Sequence, residues 1–306
     1  MNADQLQGLT AAILGGALRV GAPFLFVSLG ECITEKAGRI NLGLEGVLVL
    51  SAMAAFGGAY LSGSVWTGVL VAMLAGAALA ALHGLLCSLP RVNDVATGIA
   101  LMLLGTGLAF YLGKPLIQPQ APQLPPIELG TWSSTPAVRA ALQINPLVPL
   151  GVLLAGALWW GFANTRAGLL VRMAGDSADA ARALGYPVPA IRIAATAAGG
   201  LVAGLGGACL TLFYPGSWNE GISSGQGLIA VALVIFARWS PLRCVGAALL
   251  FGGAGALGPA LQSIGIGWGY HLFNIVPYVL TLLILVLSCR PGRLAAGSPG
   301  ELSSAR

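Results

Sequence analysis

Charged residues are scarce in this sequence. Asp, Glu, Lys and Arg together make up 8% of the 306 residues, whereas hydrophobic residues make up 57%. A soluble domain carries roughly 25% charged residues, so this chain has too few of them to cover a surface that faces water. The composition therefore predicts an integral membrane protein.

The residues that usually build catalytic or metal sites are also scarce. The two histidines, His83 and His271, stand apart, and neither belongs to an HExxH motif or a carboxylate–histidine cluster. The five cysteines are scattered singly, mostly inside apolar runs, and are interpreted as packing residues. The ATP-binding motif G-x-x-x-x-G-K-[ST] does not occur. We therefore predict a protein that is not an enzyme and that needs no cofactor or metal.

What the sequence does contain is a series of long runs without formal charge. A helix needs about 20 residues to cross the ~30 Å of hydrocarbon in a bilayer. The runs cover residues 46–90, 95–113, 146–165, 193–219, 221–237 and 244–289. Turn-forming residues divide the first and the last run in two, and a further span is expected at about residues 9–33. The sequence thus predicts an all-α, polytopic membrane protein with about 8–10 transmembrane helices, in a single domain over residues 1–306.

The basic residues indicate the orientation, because short cytoplasmic loops hold the excess of Lys and Arg. With the N-terminus outside and the C-terminus in the cytoplasm, 12 of the 15 basic residues lie inside. Residues 114–145 then form a periplasmic loop, whereas residues 166–192 and the tail 290–306 are cytoplasmic. The prolines of the outer loop forbid a regular helix through its first half, so it is either an ordered cap or a flexible connector. The net charge of +5 follows from the basic inner loops and is no evidence for nucleic acid.

One segment between two apolar runs is unusually rich in charge. Residues 30–46, GECITEKAGRINLGLEG, contain Glu31, Glu35, Lys36, Arg39 and Glu45. An unpaired charge at the bilayer centre costs at least about 2.5 kcal/mol, so such residues pair with a partner or face a pathway. Asn41 and Glu45 are four residues apart, on one face of the second span. They either pin this helix by pairing with Lys36 or Arg39, or line a translocation route.

Polar residues also open the span that begins near residue 95. In the stretch PRVNDVATG, Asn93 or Asp94 is a candidate N-cap for the helix. Thr97 either faces the translocation pathway or donates its hydroxyl to a carbonyl of its own helix.

The inner loop 166–192 contains the signature of a very short helix. Asp176 or Ser177 is a good N-cap, DAARAL is strongly helix-forming, and Gly185 followed by Pro187 supplies a stop. Two helical turns are too short to be stable alone in water, so this helix should lie against something. Its alanines and the i,i+3 pair of Asp179 and Arg182 suit docking into a groove of another protein, although a solvated connector is the alternative.

Three stretches of the sequence together resemble the permease subunits of bacterial ABC importers. They are GECITEKAGRINLGLEGVLVLSA, RMAGDSADAARALGYPV and GLIAVALVIFARWSPL, and the resemblance spans roughly residues 10–290. It is to the branch that carries simple sugars, branched-chain amino acids and nucleosides, and the first stretch most resembles permeases for nucleosides and purines. Such a protein is a multi-pass protein of the bacterial inner membrane that forms half of a translocation pathway.

The resemblance implies particular roles and partners. It makes the short helix a coupling helix for a cytoplasmic ATPase subunit, through Gly175, Asp176, Ser177, Asp179, Ala181, Arg182, Leu184 and Gly185. It places Glu35, Asn41 and Glu45 at the cytoplasmic turn between the first two spans. It also implies a second permease, related but not identical, and an extracytoplasmic solute-binding protein. The alternatives are an ion-gradient-driven secondary transporter, or an ABC importer for simple sugars or branched-chain amino acids.

Overall fold

The computed structural model describes residues 3–117, 119–135, 138–139, 142–213, 215–263, 275–288 and 297–304. Its helices are α1 (Ala3–Lys36), α2 (Leu44–Ser62), α3 (Val65–Leu86), α4 (Asp94–Gly113), α5 (Leu147–Asn164), α6 (Arg166–Asp176), α7 (Ala178–Ala183), α8 (Val188–Leu212), α9 (Gln226–Phe236), α10 (Pro241–Ser263), α11 (Val276–Ser288) and α12 (Gly300–Ser304). Two strands of two residues each, β1 (Ile127–Glu128) and β2 (Gln143–Ile144), pair in an antiparallel ladder.

The helices confirm the predicted all-α, polytopic class. Within the described residues, seven helices are long and apolar enough to cross a membrane: α1, α2, α3, α4, α5, α8 and α10. Two more apolar helices, α9 and α11, have 11 and 13 residues. These nine helices fall inside the range of about 8–10 that the charge-free runs predict.

Helix α8 lies at the centre of the fold, against α1, α2 and α3. Its glycines let the neighbouring backbones come close: a Cβ on Gly199 would overlap the carbonyl oxygen of Gly30 in α1, and a Cβ on Gly200 would overlap that of Gly76 in α3. Such contacts between small residues are how membrane helices pack in the absence of a hydrophobic driving force between them. The central helices are therefore fixed by close backbone packing.

The predicted span at residues 221–237 is only partly helical. Helix α9 begins at Gln226, and the preceding residues form turns that end in Ser224 and Gly225, both with positive φ. At about 1.5 Å per residue, the 11 residues of α9 rise only about 16 Å, roughly half of the hydrocarbon thickness. The expectation of a full span here is wrong, because an absence of charge does not distinguish helix from ordered turn.

The described part of the outer loop is an ordered cap. Leu124 is buried and its N–H donates to the carbonyl of Leu212 at the end of α8. The side chain of Gln123 donates to the carbonyl of Gly216, and β1 and β2 close the loop on itself. The structure therefore favours the cap over the flexible connector.

Helices α4 and α5 have a wide apolar surface that no other part of the described chain covers. Leu103, Tyr111, Leu153 and Trp160 are all exposed on them. Only 22% of the most apolar 18-residue stretch of each helix is buried inside the chain. These faces are the ones that lipid or a second membrane subunit would cover.

Candidate functional site

The turn between α1 and α2 folds back along α1. The backbone N–H of Asn41 donates to the Glu31 carboxylate over 2.8 Å, although Glu31 precedes the end of α1 by more than one turn. The side chain of Asn41 accepts a hydrogen bond from the N–H of Gly43 at 3.0 Å. Asn41 is 1% exposed and Glu35 is 2% exposed. Asn41 and Glu35 are thus buried inside the chain in this structure, and Asn41 holds the turn in place.

Glu45, in the first turn of α2, is bonded to the start of α9. Its Oε1 accepts from Ser223 Oγ at 2.5 Å and from the N–H of Gly225 at 3.2 Å, and its Oε2 accepts from the N–H of Gly227 at 2.7 Å. The first N–H groups of a helix have no partner within the helix and carry partial positive charge, so a carboxylate is the natural group to fill this position. The expected pairing of Glu45 with Lys36 or Arg39 is therefore wrong. Glu45 pins α9 rather than α2.

Each end of α9 is held by a carboxylate. Gly227, in the first turn of α9, donates its N–H to Glu45. Trp239, just beyond the other end of α9, donates its indole N–H to Glu35 near the end of α1. The length of α9 puts about 16 Å between these contacts. The end of α1 lies on the same side of the molecule as α7. We call the side that also carries α7 the inner side.

Arg39 is paired with the start of α4 instead. Its guanidinium forms a salt bridge with Asp94 at 2.5 Å and also donates to the carbonyl of Cys87. Asn93 is the N-cap of α4, since its side chain accepts from the N–H groups of Val95 and Ala96.

Thr97, in the first turn of α4, donates its hydroxyl to the carbonyl of Asn93 at 2.9 Å. Of the two alternatives for Thr97, the structure therefore contains the hydrogen bond to the start of its own helix. The role of Glu35, Asn41, Glu45 and Thr97 in lining a pathway stays a prediction.

The short helix α7 forms as the sequence predicts. Ser177 is its N-cap and accepts from the N–H of Ala180, Gly185 follows it with φ +84°, and Arg182 pairs with Asp179 at 2.7 Å. Ala178 and Ala181, on one face of α7, are buried and pack against Val188.

The other face of α7 is open. Asp179, Arg182 and Tyr186 are exposed, and Leu184 is 68% exposed. Of the eight residues predicted for coupling, Gly175 and Ala181 are buried against the chain itself, Asp176, Asp179, Arg182, Leu184 and Gly185 are exposed, and Ser177 is half-buried.

A buried arginine and a carboxylate of the tail hold α7 on the fold. Arg192, at the start of α8, donates to the carbonyls of Ala37 and Ala174 at 3.0 and 2.9 Å and forms a salt bridge of 3.1 Å with Glu301. The other oxygen of Glu301 accepts from the N–H of Ala178 at 2.9 Å, which places a negative charge at the start of α7. Burial alone raises the pKa of Glu301, but the bonds from Ala178 and Arg192 outweigh it and lower the pKa overall.

No local pattern in the sequence indicates a structural role for Arg192 or Glu301. Arg192 is one of several basic residues of the inner loop, and Glu301 lies in the tail, 123 residues after Ala178. Only the fold brings these residues together. Ser223 was missed in the same way, because it lies 178 residues after Glu45.

The fold and these contacts define an α-helical, multi-pass membrane protein with an exposed short helix on its inner side. Comparison with family models narrows this class: residues 13–287 match the family described as the permease component of branched-chain amino acid transport systems. The match covers most of the chain, and the protein belongs to this family. It is a permease subunit of an ABC transporter.

Three relatives show the range of the family. The chain is 34% identical to a Haloferax volcanii protein provisionally named a glucose ABC transporter permease, over 84% of this chain and 79% of that one. It is 27% identical to the nucleoside ABC transporter permease protein of Lactococcus lactis subsp. cremoris, over 90% and 91%. It is also 27% identical to the guanosine ABC transporter permease protein of Bacillus subtilis, over 90% and 92%.

The contacts of Glu45 lead to a stability prediction. In Glu45→Gln, the amide nitrogen cannot accept a hydrogen bond, so at least one backbone N–H at the start of α9 loses its partner. We expect a loss of about 1–3 kcal/mol in stability. Unfolding of the purified protein in detergent micelles measures it.

Glu220→Gln is the matched control, because Glu220 is exposed in the loop before α9. This variant should stay within about 0.5 kcal/mol of the parent. Equal unfolding curves for the two variants would show that Glu45 does not anchor α9.

Proposed function

We propose that this permease forms half of the translocation pathway of an importer for a nucleoside or a purine base. The observation that carries the proposal is the full-length similarity to two permeases named for nucleoside and guanosine transport, each over 90% of this chain. The ITEKAGRINLGLEG stretch, which forms the end of α1, the turn and the start of α2, points to the same branch. The membership of the ABC permease family argues against a secondary transporter.

A second candidate substrate is a simple sugar. The relative named for glucose transport is more similar in sequence, at 34% identity over 84% of this chain. A nucleoside also carries a polyhydroxylated ring, so a related set of hydrogen-bonding groups serves both substrates.

The exposed face of α7 is the proposed contact with a separate ATPase subunit. Asp179, Arg182 and the following Leu184 are exposed to solvent. Ala178 and Ala181, on the opposite face, pack the helix against the start of α8. Two ATPase domains, a second, related permease and an extracytoplasmic binding protein would complete the importer. The inner side is then cytoplasmic, with the N-terminus outside and the C-terminus inside.

The substrate proposal predicts the outcome of an uptake experiment. Cells that produce the complete importer should take up labelled guanosine or adenosine, and an excess of unlabelled nucleoside should compete whereas glucose should not. Saturable uptake of glucose that nucleosides leave unchanged would support the sugar candidate instead. Cells with the importer but without this permease are the control.

The docking proposal predicts a loss of assembly in Leu184→Asp. A leucine buried at an interface contributes about 1.5–3 kcal/mol, so its replacement by a carboxylate should weaken ATPase association at least tenfold. Co-purification of a co-expressed ATPase subunit measures this association. Ser134→Asp, an exposed position of the outer loop, should assemble normally. Full assembly of the Leu184 variant would contradict the proposed contact.

The orientation predicts which positions react from outside. After the native cysteines are replaced, Ser134→Cys should react with a membrane-impermeant thiol reagent on intact cells. Ala180→Cys, on the exposed surface of α7, should react only after the cells are opened. Position 180 is chosen because Ser177 caps the helix and its loss would disturb it. The reverse labelling pattern would invert the topology.

A further inference from the structure

A cavity on the inner side has a basic lining that the transport function does not explain. It has a volume of about 410 Å³ and lies between the end of α1, the ends of α5 and α6, and the turn from α9 to α10. Four basic side chains line it: Lys36, Arg172, Arg238 and Arg243. They come from three separate segments of the chain, so the fold assembles this cluster. The volume lies within the range of roughly 300–1,000 Å³ of small-ligand sites.

The basic residues of the cavity have no acidic partner among the described residues. The three salt bridges of the described residues involve none of the four basic residues, and the Arg172 Nε is buried without a hydrogen bond. The residues outside the described ranges contain no Asp or Glu. The nearby carboxylate of Glu35 is bonded to the indole of Trp239, whose ring also lines the cavity. A cluster of like charges around one cavity calls for an anion from outside the chain.

One wall of the cavity is apolar and continues onto the membrane-facing surface. Trp159 and Phe162 of α5 line it. Trp159 and its neighbour Trp160 are both more than half exposed, at the end of a helix whose outer face is otherwise aliphatic. Tryptophans are enriched at the level of the lipid headgroups, where the ring meets both water and hydrocarbon. The cavity therefore opens at the depth of the headgroups, with hydrocarbon beside it.

From this geometry we propose that the cavity binds the phosphate of an anionic phospholipid from the inner-side leaflet. The phosphate lies among the four basic side chains, and the acyl chains run along the apolar face of α5. Basic pockets between membrane helices on the cytoplasmic side suit such headgroups, and arginine binds phosphate through paired N–H donors. A soluble anion would use the same basic groups but would gain nothing from the apolar wall.

Binding of phosphatidylglycerol to the purified full-length permease tests the proposal, with zwitterionic phosphatidylcholine as the lipid control. Native mass spectrometry of the protein titrated with each lipid gives the affinities. The parent protein should prefer phosphatidylglycerol. In the double variant Arg172→Gln/Arg243→Gln, its affinity should fall about 30-fold, because two basic groups near the phosphate are lost. The charge-conserving variant Arg172→Lys/Arg243→Lys should retain most of it.

The matched control is Arg166→Gln, which removes one exposed basic residue of the same inner segment outside the cavity. It should bind phosphatidylglycerol like the parent. An equal loss in this control, or equal affinity of the parent for both lipids, would overturn the proposal. Thermal unfolding of each variant shows whether a loss of binding is merely a loss of folding. If the glutamine variant is unfolded, the lysine variant tests the proposal, because loss of binding in a folded lysine variant would contradict it.

Two further measurements separate the lipid from other anions. Inorganic phosphate at millimolar concentration should not displace phosphatidylglycerol, and full displacement would assign the cavity to a soluble phosphate. The glutamine double variant should still co-purify with the ATPase subunit. Normal lipid binding together with lost ATPase association would make the cavity a protein-docking surface and would refute the lipid site.

Discussion

A bilayer offers no water to unpaired backbone groups, and this constraint shapes the interior of the permease. Helix α9 begins part-way through the fold, so its first N–H groups would be left without partners in a medium that cannot supply any. Glu45 fills this position with both of its oxygens. The charge of the carboxylate and the dipole of the helix start compensate each other. Glu45, the last charge of the stretch between two apolar runs, therefore anchors the start of a half-length helix.

The same stretch ties the inner side of the molecule together. The α1–α2 turn is bonded to α1 through Glu31, and Arg192 connects it to the end of α6 and to the tail. Glu301 continues this set of contacts to the first N–H of α7. An unbroken series of hydrogen bonds and packed backbone thus joins the exposed short helix to the turn that leads to Glu45.

Sequence patterns predicted the helices and caps that depend only on residues close together in the chain. Long apolar runs located α1 to α5, α8 and α10, and the caps Asn93 and Ser177 and the pair Asp179–Arg182 depend on residues three positions away or fewer. The half length of α9 could not be predicted, since hydropathy averages over helix and turn alike. The partners of Glu45 and Arg192 lie more than 100 residues away from them, apart from Ala174, and only the packing of the central helices defines them.

The position of Glu301 has a consequence for the order of biosynthesis. The carboxylate that completes the start of α7 is synthesised 123 residues after it, once α8, α9, α10 and α11 have all been translated. Until then the short helix has its serine cap but lacks the clamp that holds it to α6 and α8. In a nascent chain, the first N–H of α7 therefore lacks this acceptor until the tail has been made.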